Sequence, residues 1–89
     1  MERRQVHYSG RVQGVGFRYT TRSVATRFQV AGFVQNLPDG RVYLVVEGEP
    51  AELNQFMAAI QTELNHYIRN IQTETLPPTQ EFSGFSIQP

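Results

Sequence analysis

Between Arg3 and Val12 apolar and polar side chains alternate: Val6, Tyr8 and Val12 fall on one side of an extended chain, Gln5, His7, Ser9 and Arg11 on the other. A period of two with one polar face predicts a half-buried strand. Beyond a glycine-rich stretch the period lengthens. Phe17, Val24, Ala25 and Phe28, with Thr21 on the same stripe, predict an amphipathic helix that stops before Gly32. Gly32–Leu37 predicts a short strand, Pro38-Asp39-Gly40 a turn, and Arg41–Glu47, dense in β-branched and aromatic residues, the returning strand of a hairpin. Gly48-Glu49-Pro50 ends it and sets proline for the first turn of a helix. Leu53, Phe56, Met57, Ile60 and Leu64 mark the apolar stripe of that helix. Tyr67, Arg69, Ile71, Thr73 and Thr75 predict another strand, Leu76–Gln80 a loop, and Phe82, Phe85 and Ile87 a short closing strand.

The order strand, helix, strand, strand, helix, strand, plus one short C-terminal strand, is that of an α+β, ferredoxin-like split βαβ sandwich. Two helices then cover one face of a mainly antiparallel sheet. The first two strands are joined by a helical crossover, so they run parallel and end at the same edge. With the third strand between them, those ends lie about 10 Å apart. The glycine-rich stretch hangs from one end and Asn36 lies near the other, so Arg18 and Asn36 can face one small ligand.

Composition narrows the chemistry. The 89 residues suit a single domain spanning 1–89. Eight basic and eight acidic side chains leave no net charge, which argues against nucleic-acid binding by bulk electrostatics. No apolar run is long enough to span a membrane and no leader-type segment opens the chain, so the cytoplasm is the expected location. Cysteine is absent, which removes disulfides, thiolate nucleophiles and cysteine metal sites. Every basic residue is arginine, so there is no Schiff-base or P-loop lysine, and Asp39 is the only aspartate. His7 and His66 have no carboxylate at ligand spacing, and no metal or other cofactor is expected.

The glycine-rich stretch is Gly10-Arg11-Val12-Gln13-Gly14-Val15-Gly16-Phe17-Arg18. Glycines let several backbone N–H groups turn toward one point, and the helix behind them adds its own free N–H groups and positive dipole end. Arg18 supplies a planar fork for an anion with two or three oxygens. Gly14-Val15-Gly16 is too short for a dinucleotide fingerprint, since Tyr19 follows where glycine or alanine belongs.

The run G-R-V-Q-G-V-G-F-R closely resembles the signature loop of the acylphosphatases. Gly32-Phe33-Val34-Gln35-Asn36-Leu37-Pro38-Asp39-Gly40 resembles that family's second motif, and Phe82–Ile87 its final strand. The resemblance implies that Arg18 and the backbone amides of Gln13, Gly14, Val15, Gly16 and Phe17 bind a phosphate. It further implies that Asn36 orients the attacking water. The implied reaction is hydrolysis of a small-molecule acyl phosphate to carboxylate and inorganic phosphate, with phosphate as product and competitive inhibitor; a monomer is the simplest oligomeric state for it. Gln35 stands where many relatives carry a basic residue, and residues 65–78 depart from the usual Gly-Pro-rich connection. The chemistry fits the residues available. A carboxylate whose conjugate acid has a pKa of about 4 leaves without a general acid, and phosphoryl transfer needs mainly positioning and charge stabilisation.

Plainer readings stand beside these. Arg18 alone is consistent with a surface salt bridge, and Asn36 alone with a residue that satisfies turn amides. Glu47, Glu49 and Glu52 read as a solvated strand end and a helix first turn, and Arg22 as an exposed arginine. Two rival functions remain: a silent acylphosphatase-like module that binds an anion or a partner, and an RNA-binding domain using Tyr8 and Tyr43 on the central strands.

Overall fold

The computed structural model describes all residues, 1–89. It contains β1 (Glu2–Gly10), α1 (Phe17–Ala25), β2 (Val30–Asn36), β3 (Val42–Gly48) and α2 (Pro50–Leu64). A 3-10 turn (Asn65–Tyr67), β4 (Ile68–Leu76) and β5 (Phe85–Gln88) complete it. The sheet order is β4-β1-β3-β2-β5, with β5 parallel to β2 and the other pairs antiparallel. β3 therefore does separate the parallel strands β1 and β2, and the ferredoxin-like expectation holds.

The register explains the core. Leu44 lies opposite Val6 on one side and Val34 on the other, and all three are fully buried. With Tyr8, Val42 and Val46 they form the sheet floor on which Phe17 and Val24 of α1 and Leu53, Phe56 and Ile60 of α2 pack. Alternation along each strand sends these residues to one face, and the 3.6-residue period of each helix aims its stripe back at them.

The opposite face carries a second, smaller apolar layer. Val45 is fully buried there, and Phe33 packs edge-on against both Tyr43 and Phe82 with ring centres 5.9 Å apart in each case. His7 stacks on Tyr43 at 4.7 Å. Phe82 belongs to the segment between β4 and β5, which lies over this face. That is why the closing strand starts at Phe85 and not at Phe82. Phe85 turns to the helix side and meets Phe56 at 5.8 Å.

Other departures from the expected boundaries are local. β1 ends at Gly10, not Val12, because Arg11 N–H leaves the ladder to donate to Tyr67 O at 2.9 Å, and the β1–β4 register shifts between Ser9 and Gly10. α1 ends at Ala25 because the N–H groups of Thr26, Arg27 and Phe28 donate three residues back, and Thr26 Oγ1 donates to Ser23 O. This tighter winding closes the helix one turn early.

Glu47 corrects the expectation of a solvated strand end. It is 4% exposed. Its carboxylate accepts from Thr79 N–H and Gln80 N–H, both at 2.8 Å, from Thr79 Oγ1 at 3.0 Å and from Arg3 Nη1 at 3.2 Å. The residues that cover it are more than thirty positions away in the chain, so the strand pattern alone could not reveal the burial. Desolvation by itself pushes the carboxyl up, but the N–H groups of Thr79 and Gln80 and the partners Thr79 and Arg3 hold it below its ordinary value. A carboxyl that titrates lower in the folded than in the unfolded state stabilises the fold above the ordinary carboxylate range. That contribution is lost as pH falls through the folded value. Glu47→Gln is expected to cost about 1–3 kcal/mol in urea unfolding at pH 7, with the gap to wild type narrowing as pH falls into the acid range. A gap independent of pH would show that the clamp does not depend on the carboxylate charge.

Candidate active site

The loop between β1 and α1 carries an unusual backbone. Gly14 and Gly16 have φ of 79° and 78°, whereas Gln13 and Val15 do not have positive φ, so the sign alternates over four residues. Successive N–H groups in such a run face a common concavity. Gly16 is also the N-cap of α1 and supplies no side-chain cap. None of the backbone N–H groups from Gln13 to Arg18 donates to an acceptor within the chain. Six donors are thus free at the positive end of a helix with no acidic residue in its first turn.

Arg18 is the second residue of α1 and is half-buried. It forms no ion pair with any carboxylate, so the salt-bridge reading does not apply. Its one protein partner is a distant carbonyl, Gln88 O, 3.5 Å from Nη1. A cavity of about 170 Å³ lies beside it, walled by Val12, Gly14, Gly16, Phe17, Arg18, Tyr19 and Asn36. Arg18 and Asn36, 18 positions apart in the chain, therefore meet at one cavity. Gln13 and Val15 are not part of its wall. Val15 packs against the core, and the Gln13 side chain turns toward the β2–β3 turn.

Asn36 does not serve that turn. Gly40 N–H donates to Leu37 O at 3.1 Å, Leu37 N–H to Arg41 O at 2.8 Å, and Arg41 N–H to Asp39 Oδ1 at 3.1 Å. Asp39 Oδ2 also pairs with Arg41 Nε at 2.8 Å, and the hydrogen bond from Arg41 N–H holds the Asp39 carboxyl below its ordinary value. With the turn closed by other groups, the Asn36 Oδ1 atom is shielded and has no hydrogen-bond partner. A shielded acceptor without a donor is costly, on the order of 1–3 kcal/mol. Rotation of the carboxamide exchanges its oxygen and nitrogen, so it can present either an acceptor or a donor to a ligand in the cavity.

Two side chains that sequence reasoning passed over shape this site. Gln13 Nε2 donates to Leu37 O at 2.8 Å and to Arg41 O at 3.0 Å, strapping the glycine loop to the turn that follows Asn36. Tyr19 stands at the cavity rim with the Arg22 guanidinium 5.5 Å from its ring centre. A long polar side chain inside a loop otherwise built of glycine and valine was the available signal for Gln13; nothing in the pattern singled out Tyr19.

The remaining candidates lie elsewhere. Tyr8 is fully buried on the helix face, 5.0 Å ring to ring from Phe17, with its hydroxyl toward Met57 Sδ and its pKa raised by burial. It is thus unavailable as an aromatic for stacking bases, and the RNA-binding alternative gains no support. No three His, Cys, Asp or Glu side chains converge. No helix is long and apolar enough to cross a membrane.

The family model described as Acylphosphatase matches residues 4–87. The chain is 50% identical to the acylphosphatase of Archaeoglobus fulgidus over 58 residues, 65% of each chain. It is 49% identical to that of Latilactobacillus sakei over 83 residues, 90% of this chain and 86% of the other. The crystal structure of acylphosphatase from Bacillus subtilis superposes with a TM-score of 0.89 at 31% identity, covering 99% of both chains.

The Gln13 strap leads to a test that needs no substrate. Gln13→Leu keeps most of the side-chain bulk but removes both strap bonds, leaving each carbonyl with its backbone partner alone. It is expected to lower stability by about 1–2 kcal/mol and to weaken inorganic phosphate binding several-fold in calorimetric titration. Phosphate affinity equal to wild type would show that the cradle holds its shape without the strap.

Proposed function

The chain belongs to the acylphosphatase family, and we propose that it carries out that family's reaction with Arg18, Asn36 and the amides of Gln13–Arg18. It is a hydrolase that cleaves acyl phosphates to a carboxylate and inorganic phosphate. The observation that carries the assignment of roles is the single small cavity shared by an arginine without a carboxylate partner, free amides and a carboxamide without a partner.

In this mechanism the phosphoryl oxygens dock on the N–H groups of the glycine loop and on the Arg18 fork, whose planar donors match two oxygens at once. Donors fixed before the reaction stabilise the charge that spreads over the equatorial oxygens without having to reorganise. Asn36 holds a water in line with phosphorus. The water oxygen forms a bond to phosphorus as the bond to the acyl oxygen breaks, and the electron pair leaves with the carboxylate. The proton of the water passes to a phosphoryl oxygen, because no histidine or carboxylate lines the cavity. A leaving group this acidic requires no protonation. The same reading has a monomer acting in the cytoplasm on a small-molecule substrate, without nucleic-acid or membrane partners, and inhibited competitively by phosphate. The zero net charge is consistent with it.

Arg18→Ala and Arg18→Lys are both expected to lower kcat/KM for acetyl phosphate by about 100-fold or more, since a point charge does not replace a fork. Asn36→Ala should lower kcat on a similar scale while leaving the inhibition constant for phosphate within about threefold. Near-wild-type rates for Arg18→Lys, or equal losses in both Asn36 parameters, would reassign those residues. Hydrolysis is further expected to proceed at full rate in EDTA, and a strict requirement for added metal would overturn the mechanism.

A further inference from the structure

We propose that Tyr19 is the platform on which the acyl half of the substrate rests, and that it favours acyl phosphates with an aromatic or similarly broad apolar acyl group. This rests on the phosphate being held at Arg18. The cavity of about 170 Å³ is smaller than the roughly 300–1,000 Å³ of pockets that enclose whole small-molecule ligands. Its polar equipment is free amides, one guanidinium and one carboxamide, all suited to a phosphoryl group and a water. The acyl group begins one bond beyond the scissile oxygen, so it leaves the cavity across the rim.

At that rim stands a side chain that the fold does not otherwise use. Tyr19 is 63% exposed and, with Met1 at the chain start, is one of only two exposed large apolar side chains. It follows Arg18 directly in the first turn of α1, and side chains there lean toward the helix N-terminus, here toward the cradle. Its ring borders the small cavity on one side. On the other it borders a broad open hollow of about 550 Å³ that runs along α1, with Thr20, Ser23, Arg27 and Glu63 among its walls. Arg22, three residues on, places its guanidinium over the ring at 5.5 Å, a cation–π contact that restrains the ring's orientation. A restrained aromatic beside a phosphate site offers a planar acyl group both apolar burial and offset stacking. A methyl group, as in acetyl phosphate, gains little from it.

The test compares kcat/KM for benzoyl phosphate and acetyl phosphate in wild type, Tyr19→Ala, Tyr19→Phe and Arg18→Ala. Tyr19→Ala is expected to reduce the benzoyl-over-acetyl preference about fivefold, chiefly through KM for benzoyl phosphate. Tyr19→Phe should keep the preference, because the ring remains. Competitive inhibition by inorganic phosphate should stay within about twofold in both variants. An unchanged preference in Tyr19→Ala overturns the proposal, as does a parallel weakening of phosphate inhibition, which would make Tyr19 a support of the cradle. Arg18→Ala separates the two levels. If it is inactive while the Tyr19 preference does not move, only the platform falls; if it retains wild-type activity, the phosphate site and the platform fall together.

Discussion

The site depends on one topological constraint: β3 inserted between β1 and β2. A right-handed crossover makes the outer two strands of that trio parallel, so both deliver their C-terminal ends to the same edge. β3, antiparallel to each, holds them two strand spacings apart through continuous ladders from Glu2↔Gly48 to Tyr8↔Val42 and from Val30↔Gly48 to Asn36↔Val42. The distance between the glycine loop and Asn36 is therefore set by backbone hydrogen bonds along the middle of the sheet. Fully buried residues such as Leu44 lock the register, because a slip of one residue would turn the core face outward. The Gln13 strap then fixes the loop to the hairpin turn directly.

Within that frame the proposed chemistry relies on dipoles more than on net charge. The protein carries no net charge, and the cavity wall has one ionised side chain, Arg18. The rest of the attraction for an anion comes from N–H groups that the alternating φ of the loop denies any internal partner. Such donors are neutral and held by the backbone, so in the proposed mechanism they act on the transition state without the entropy of ordering long side chains. Backbone amides without acceptors would be a defect in a folding core. At an open helix N-terminus they stay accessible to water, which the substrate replaces in the proposed mechanism.

The open face of the sheet is not idle. The segment between β4 and β5 packs Phe82 on Phe33, on the face where Val45 is buried, and anchors to the buried Glu47 carboxylate and to Arg3. Arg3 also lies 5.4 Å from the Phe82 ring centre. This second layer gives a small domain apolar burial on both sheet faces, where a two-layer sandwich has only one. It also ties β5 alongside β2, through Gly32 N–H to Gly84 O at 2.9 Å, which places Gln88 O beside Arg18.

Alternation along β1 and β3, the stripe of α2 and the punctuation by Gly32, Pro38-Asp39-Gly40 and Pro50 determined the order, type and facing of the elements. These are local properties, set by period and turn chemistry. The backbone of the glycine loop was legible for the same reason, since positive φ at Gly14 and Gly16 is a demand that sequence expresses directly. Handedness and strand order are enough to bring Arg18 and Asn36 to one edge. What the pattern could not carry were contacts between segments distant along the chain. The burial of Glu47 by Thr79 and Gln80, the grip of Gln13 on Leu37 and Arg41, and the place of Tyr19 between cavity and hollow depend on where a side chain's neighbours come from. A side chain at the end of a strand or in the first turn of a helix reads as polar or exposed until the tertiary structure supplies what lies across from it.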